Sequence, residues 1–170
     1  MWTFDIVCNA VIKTFHFELR EIAKYLKLTK IAAYNVTHNN NSFLKGKGIY
    51  FCLLYFVPVM LGLKIYNSNL YDDFIEGRDC SSVLNVLNNL DTYFFDELLE
   101  DNETYNTEDT DKIIVTISDK LKAVYDILFV KNFGRCIHEI KIGKYTFEED
   151  NRLELQKAVS LLSEYSSYEM

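Results

Sequence analysis

An apolar run between residues 49 and 63 constrains the fold more than any other stretch of the chain. It contains no charged residue before Lys64 and is interrupted by Pro58 and Gly62. Its fifteen residues are fewer than the roughly 20 that a membrane-spanning helix needs. We therefore predict a helix over residues 49–65 that is buried in the core, and that is kinked at Pro58 or ends before it, rather than a membrane contact.

The rest of the composition favours an all-α fold. The chain has 170 residues, of which 49% are hydrophobic, with six glycines and one proline. That length is sufficient for one domain with a core, and the hydrophobic content excludes a disordered or collagen-like chain. Because closely spaced turn signals are also lacking, we predict a single all-α domain over residues 1–170.

Charge and cysteine usage limit the partners and the compartment. The formal net charge is −7, which disfavours nucleic acid and anionic membranes and favours basic partners. The four cysteines are scattered singly, at Cys8, Cys52, Cys80 and Cys136. This spacing predicts neither a metal site nor a disulfide framework. Since the N-terminus also lacks a basic flank before an apolar run, we expect a cytoplasmic protein with no cofactor and no transmembrane segment.

Apolar side chains recur at three- and four-residue steps in four further segments, as they do in amphipathic helices. The predicted helices cover residues 4–28, 83–99, 110 or 111 to 130, and 136–165. In the first of them, Leu19, Ala23 and Leu26 belong to the predicted inward face. Ser81 or Ser82 is the predicted N-cap of the second.

Three polar segments separate these helices and are predicted to be connections. They cover residues 37–42, 67–79 and 96–111. The last is strongly acidic, but it lacks the spaced ligands and the central glycine of a calcium loop. We therefore expect it to be a solvated loop.

The junction Asn132-Phe133-Gly134-Arg135 joins the last two predicted helices. Asn132 can cap a helix start, and Gly134 allows a second backbone to come close because it has no Cβ. Arg135 presents a rigid donor fork to a carboxylate. The junction is therefore suited to receiving a helical ligand that carries an acid, although a plain corner between two helices has the same pattern.

These four residues resemble the Asn-Trp-Gly-Arg core of the first homology motif of the Bcl-2 family. The similarity continues without a gap over roughly residues 113–165, and Gly143 matches a glycine of that family's central helix, here at residues 136–144. The spacing of Val83, Leu87, Leu90 and Phe94 is similar to that of the family's death-motif helix, although Thr92 stands in the place of the acid. The family's second homology motif and membrane anchor do not follow, which is similar to viral members of the family.

The resemblance implies a Bcl-2-like helical bundle with a central hydrophobic helix. It also implies a groove that binds amphipathic pro-death helices of host proteins and thereby inhibits apoptosis. Arg135 would pair with the acid of the ligand, Asn132 would bond the same acid, and Gly134 would allow close approach. The implied floor of the groove is apolar and consists of Leu87, Leu90, Phe94, Val124, Leu128, Phe129 and Phe133.

Three other functions are open at this stage. The first, within the same fold, is an immunomodulator that binds host signalling adaptors through an outer helix face or a homodimer interface, without binding death motifs. The second is an enzyme that uses Cys136, His138 and Glu139; we predict no such activity, because helix positions two apart do not face each other. The third is a structural or oligomeric scaffold without a functional groove.

The groove hypothesis makes a prediction about Arg135. Replacing it in Arg135→Ala removes a charged hydrogen bond worth roughly 1.5–3 kcal/mol, so a death-motif peptide should bind about tenfold more weakly or worse. Isothermal titration calorimetry on both proteins measures the difference. Equal affinities would rule out this role of Arg135.

Overall fold

The computed structural model describes residues 3–39, 48–90, 105–107, 110–112, 116–130, 139–143, 145–148, 150–153, 155–156 and 159. The helices in this part are α1 (Thr3–Phe15), α2 (Leu19–Asn39), α3 (Gly48–Tyr66), α4 (Ser68–Ile75), α5 (Ser81–Leu87) and α6 (Ile117–Phe129). Residues 151–153, 155–156 and 159 are helical as well. The strands are β1 (Tyr105–Thr107), β2 (Thr110–Lys112), β3 (Glu139–Ile142) and β4 (Tyr145–Glu148). Most of the described residues are helical, which confirms the predicted helical class, and two short hairpins are added to it.

Helix α3 lies at the centre of the core, as the apolar run predicts. Fourteen of its 19 residues are buried, and a helix that is apolar on all sides has to be covered on all sides. Helices α1, α2, α4 and α5 and strand β4 pack against it. By length and composition α3 could cross a membrane, but 78% of its most apolar window is buried inside the protein, as expected of a core helix.

Helices α1 and α2 are each positioned on α3 by a specific contact. A Cβ at Gly62 would overlap Cγ1 of Val11 and lie 3.1 Å from Cε2 of Phe15, so α1 crosses α3 where α3 has no side chain. The helix continues through Pro58 instead of ending before it. The buried hydroxyl of Tyr25 donates to the carbonyl oxygen of Pro58 at 3.2 Å and thereby ties α2 to α3.

The single helix predicted over residues 4–28 is wrong, because the helix is interrupted between Phe15 and Leu19. His16 adopts a positive φ of 51°, and the backbone N–H of Phe17 donates to the carbonyl of Ile12 at 3.3 Å. These are the left-handed residue and the six-to-one hydrogen bond of a Schellman C-cap. The spacing of apolar residues continues across the break, so the pattern gives no sign of it.

Helix α2 begins with its own cap and is longer than expected. The backbone N–H of Glu18 donates to the carboxylate of Glu21 at 2.9 Å, which is half of a capping box. The helix extends to Asn39, so residues 37–39 of the connection predicted over residues 37–42 are helical, and residues 40–42 lie outside the described residues.

The predicted connection over residues 67–79 contains α4 instead of being a simple loop. The side chain of Asn67 caps this helix by accepting from the backbone N–H groups of Asn69 at 2.9 Å and Leu70 at 3.4 Å. An Asn N-cap satisfies backbone donors that the first turn leaves free. The polar composition that suggested a loop is therefore partly that of a capped surface helix.

Helix α5 starts near the predicted position and ends at Leu87, because residues 88–90 are not helical. Residues 91–99 of the helix predicted over residues 83–99 lie outside the described part of the chain. Neither serine caps it through its side chain. Cys80 occupies the N-cap position, and the carboxylate of Asp79 accepts from the backbone N–H and the hydroxyl of Ser81, both at 2.8 Å.

Helix α6 begins at Ile117 and not at residue 110 or 111. Thr116 and Asp119 form a capping box. The hydroxyl of Thr116 accepts from the backbone N–H of Asp119 at 3.1 Å, and the carboxylate of Asp119 accepts from the backbone N–H of Thr116 at 3.3 Å. Strands β1 and β2 pair antiparallel just before it, so the acidic segment predicted to be a loop contains a short hairpin.

The helix predicted over residues 136–165 is wrong where β3 and β4 form an antiparallel hairpin. Ile142 pairs with Tyr145, and Gly143 in the turn has a φ of 55°, which favours glycine. The strands alternate, with Ile140, Ile142, Tyr145 and Phe147 buried against α3 and α6. Apolar and polar residues alternate with a period of two in this part of the sequence, as they do in strands. Burial of one face of the hairpin against the rest of the protein favours the strands over the predicted helix.

The left-handed conformation of His16 predicts that a substitution by glycine does not lower the stability of the protein. His16→Gly should leave stability unchanged or raise it by up to about 1 kcal/mol, because glycine adopts a positive φ without strain. The matched control Lys24→Gly, at an exposed interior position of α2, should lower stability by about 0.5–1 kcal/mol. Urea unfolding followed by circular dichroism measures both, and equal losses would contradict the Schellman cap.

Candidate functional site

Five of the residues predicted to bind a partner lie outside the described part of the chain. They are Phe94, Asn132, Phe133, Gly134 and Arg135. Their roles, including the pairing of Arg135 with a ligand acid, therefore stay predictions.

The other five lie on α5, just after it, and on α6, and they belong to the core. Leu90, Val124, Leu128 and Phe129 are buried, and Leu87 is half-buried. Helices α5 and α6 pack against each other, so the structure brings these residues together. It brings them together as core residues covered by other parts of the protein, and their role as a groove floor stays a prediction.

The neighbours of Phe129 show how closed this region is. Its ring centroid lies 4.9 Å from that of Phe74 on α4, 5.3 Å from that of Tyr125 and 6.2 Å from that of Phe56 on α3. The hydroxyl of Tyr125 donates to the backbone carbonyls of Phe74 at 2.8 Å and Asp79 at 3.0 Å. A ligand could reach Phe129 only after these contacts separate.

The outer face of α2 is different, because it exposes large apolar side chains. Leu19 is 84% exposed, Leu26 is 45% exposed and Tyr34 is 60% exposed, and Ala23 is exposed as well. Steps of four, three and eight residues place these four side chains on one side of a helix. We call this set the α2 stripe.

Cations accompany the α2 stripe, three of them along one flank and Lys30 between Leu26 and Tyr34. Helix α2 carries Arg20, Lys24, Lys27 and Lys30, all exposed, against the single carboxylate of Glu21, which is half-buried. The whole chain has a net charge of −7. Helix α2 is therefore a basic surface on an acidic protein.

A cleft of about 550 Å³ lies beside the α2 stripe, between α1 and α2. Phe4, Asp5, Cys8 and Asn9 line it from α1, and Leu26, Thr29 and Lys30 line it from α2. Because Leu26 belongs to both the cleft and the stripe, the two form one continuous surface. A volume of this size is in the range of small ligand pockets or of a few inserted side chains.

The inner wall of the cleft is neutral. Cys8 is 3% exposed, and burial raises the pKa of its thiol from 9.0 to about 11, while hydrogen bonds to Tyr25 and Thr29 oppose that shift. Burial likewise raises the pKa of Tyr25. The thiol is therefore protonated at neutral pH and is not an activated nucleophile, so the cleft is suited to binding and not to thiol chemistry.

Other chemistry has little support in the described part of the chain. No group of three or more His, Cys, Asp or Glu side chains that could hold a metal ion occurs among those residues. Of the three residues considered for an enzyme, Glu139 is exposed on β3, while Cys136 and His138 lie outside the described residues.

The sequence prediction missed the α2 stripe because it assigned Leu19, Ala23 and Leu26 to the inward face of one continuous helix. The Schellman cap at His16 interrupts that helix, and α2 starts again with a new rotation. Tyr25, Thr29 and Ala32 then become its buried side. The excess of cations over acids in residues 19–39 was the available signal that this segment has an unusual surface.

No family model, no curated protein and no solved structure matches the chain. The candidate site therefore rests on the geometry and charge of α1 and α2.

The raised pKa of Cys8 predicts how stability changes in alkaline solution. The thiol is protonated more strongly in the folded state than in the unfolded state, so stability should fall as pH rises from about 9 towards 11, by at most about 1.4 kcal/mol per pH unit. Urea unfolding between about pH 8 and 11 of the wild type and Cys8→Ala isolates this contribution. The variant should show a flatter dependence, and identical slopes would contradict the assignment.

Proposed function

We propose that this protein is a non-catalytic protein-interaction module that binds its partner through the α2 stripe and the adjoining cleft. The supporting observation is the exposure of Leu19, Leu26 and Tyr34 on a helix that has a separate, buried inner face. Contiguous apolar surface with a polar surround is typical of protein–protein contact sites. Burying one leucine of this kind contributes roughly 1.5–3 kcal/mol, so a few such residues can anchor a partner.

This proposal favours one of the two modes that the resemblance to the Bcl-2 family implies. The favoured mode is binding of a host signalling adaptor, in the cytoplasm, through an outer helix face. The other mode, a groove for pro-death helices, would use Leu90, Val124, Leu128 and Phe129, which are buried. Opening such a groove would require α5 and α6 to give up their core contacts, and the exposed α2 stripe needs no such rearrangement.

The proposal predicts which substitutions abolish partner binding. The double variant Leu19→Gln/Leu26→Gln should lose its partner in quantitative affinity purification, because glutamine keeps helix propensity while removing apolar contact area. Leu153→Gln is the control, since Leu153 is 52% exposed and lies in the helical residues 151–153, away from α2 in the sequence. Circular dichroism checks that all variants are folded.

A panel of death-motif peptides, with light scattering for mass, separates the two modes. The helix-face mode predicts no measurable peptide binding and loss of the partner only in the α2 variant. Retention of the partner by that variant, or peptide binding that depends on Arg135, would reject the helix-face mode. A change from dimer to monomer in the α2 variant would identify a second copy of the chain as the partner.

A further inference from the structure

The α2 stripe and three cations of α2, Arg20, Lys24 and Lys27, are arranged as parallel bands. Projected along the helix axis, Leu19, Ala23, Leu26, Lys30 and Tyr34 follow one line, because their steps are four, three, four and four residues. At 1.5 Å per residue this line is about 22 Å long. It is long enough to lie along four turns of a second helix.

The cleft and three of the four cations of α2 flank this line on opposite sides, while the fourth cation, Lys30, lies on the line and also lines the cleft. Leu26 and Thr29 point towards α1 and line the cleft. Arg20, Lys24 and Lys27 are exposed, and their positions in the helical repeat place them on the flank away from the cleft. Across α2 the order is therefore cleft, apolar stripe, cationic flank.

We propose that this surface binds an acidic amphipathic helix of a protein partner. Apolar side chains of that helix lie on the stripe, and one of them enters the cleft. Carboxylates along one edge pair with Arg20, Lys24 and Lys27. The inference rests on the proposed function and adds the chemical class of the partner to it.

The charges beside the stripe indicate which edge of the partner is acidic. The cleft is lined by one acid, Asp5, and one base, Lys30, whose charges offset each other, whereas the flank with Arg20, Lys24 and Lys27 carries three cations. The remaining lining consists of Phe4, Leu26 and the protonated thiol of Cys8, with the uncharged polar side chains of Asn9 and Thr29. An uncharged, apolar side chain fits this lining, whereas carboxylates fit the opposite flank.

A helix fits these features better than an anionic bilayer does. A cleft of about 550 Å³ accepts a projecting side chain, which a flat lipid surface does not offer. The net charge of −7 opposes approach to an anionic membrane, where the potential acts on the whole protein face. A single helix approaches only the cationic flank and the stripe.

A library experiment tests the partner class without knowledge of the natural ligand. A display library of helical peptides of about five turns is selected on the wild-type protein and on Arg20→Gln/Lys24→Gln/Lys27→Gln. The control is Lys13→Gln/Lys122→Gln/Lys141→Gln, which removes the same charge from exposed lysines on α1, α6 and β3. The wild type and the control should enrich peptides with Asp or Glu along one edge and apolar residues at helical spacing.

Selected peptides should then bind the α2 charge variant about tenfold more weakly or worse in fluorescence anisotropy, with little change for the control. Selection without acidic enrichment, or equal binding to the α2 charge variant, overturns the proposal. Co-sedimentation with vesicles containing about 30% phosphatidylserine that depends on the same three cations overturns it in favour of a membrane. If acidic enrichment fails while Leu19→Gln/Leu26→Gln still loses its cellular partner, the proposed function stands and this partner class is wrong.

Discussion

Burial of α3 on all sides is the constraint on which the described structure depends. A helix without a polar face has to be surrounded, and three of its neighbours meet it through a specific contact. Helix α1 approaches at Gly62, which has no side chain. Helix α2 donates the Tyr25 hydroxyl to the carbonyl of Pro58, and the hydroxyl of Tyr55 on α3 donates to the carbonyl of Val83 on α5 at 2.7 Å. Each neighbour thus commits one face to α3, and only its remaining face can serve a partner.

Apolar content and its spacing predict which segments are helical and buried. They do not predict where a single backbone conformation ends a helix or forms a turn. The burial of α3 followed from its composition, and the inward positions Leu121, Val124 and Leu128 of α6 are buried as their spacing indicates. The break at His16 depends on one non-glycine residue in a left-handed conformation, which no spacing of apolar residues reveals. In the β3–β4 hairpin the alternation is only four residues long on each strand, too short to outweigh the helical signals on either side.

The same failures determined what could be foreseen of the candidate site. The groove hypothesis took its residues from a resemblance centred on residues 132–135. Those of its residues that the structure describes lie in the core, on α5, immediately after α5 and on α6. The α2 stripe could not be foreseen, because a continuous first helix would have turned Leu19 and Leu26 inward with the apolar face of α1. A three-residue interruption between Phe15 and Leu19 therefore decides which side of α2 faces solvent, and with it where a partner can bind.

Charge affects binding at this surface in two opposing ways, one at long range and one at short range. The net charge of −7 repels an acidic partner at long range, whereas α2 attracts it with four cationic side chains against one carboxylate. At physiological ionic strength the Debye length is about 8 Å, shorter than the roughly 22 Å of the stripe. A bound helix therefore interacts mainly with the charges of α2, and the rest of the protein acts chiefly on its approach. Added salt screens both the attraction to these exposed cations and the overall repulsion, so its net effect on the association rate should be smaller than the cations alone would produce.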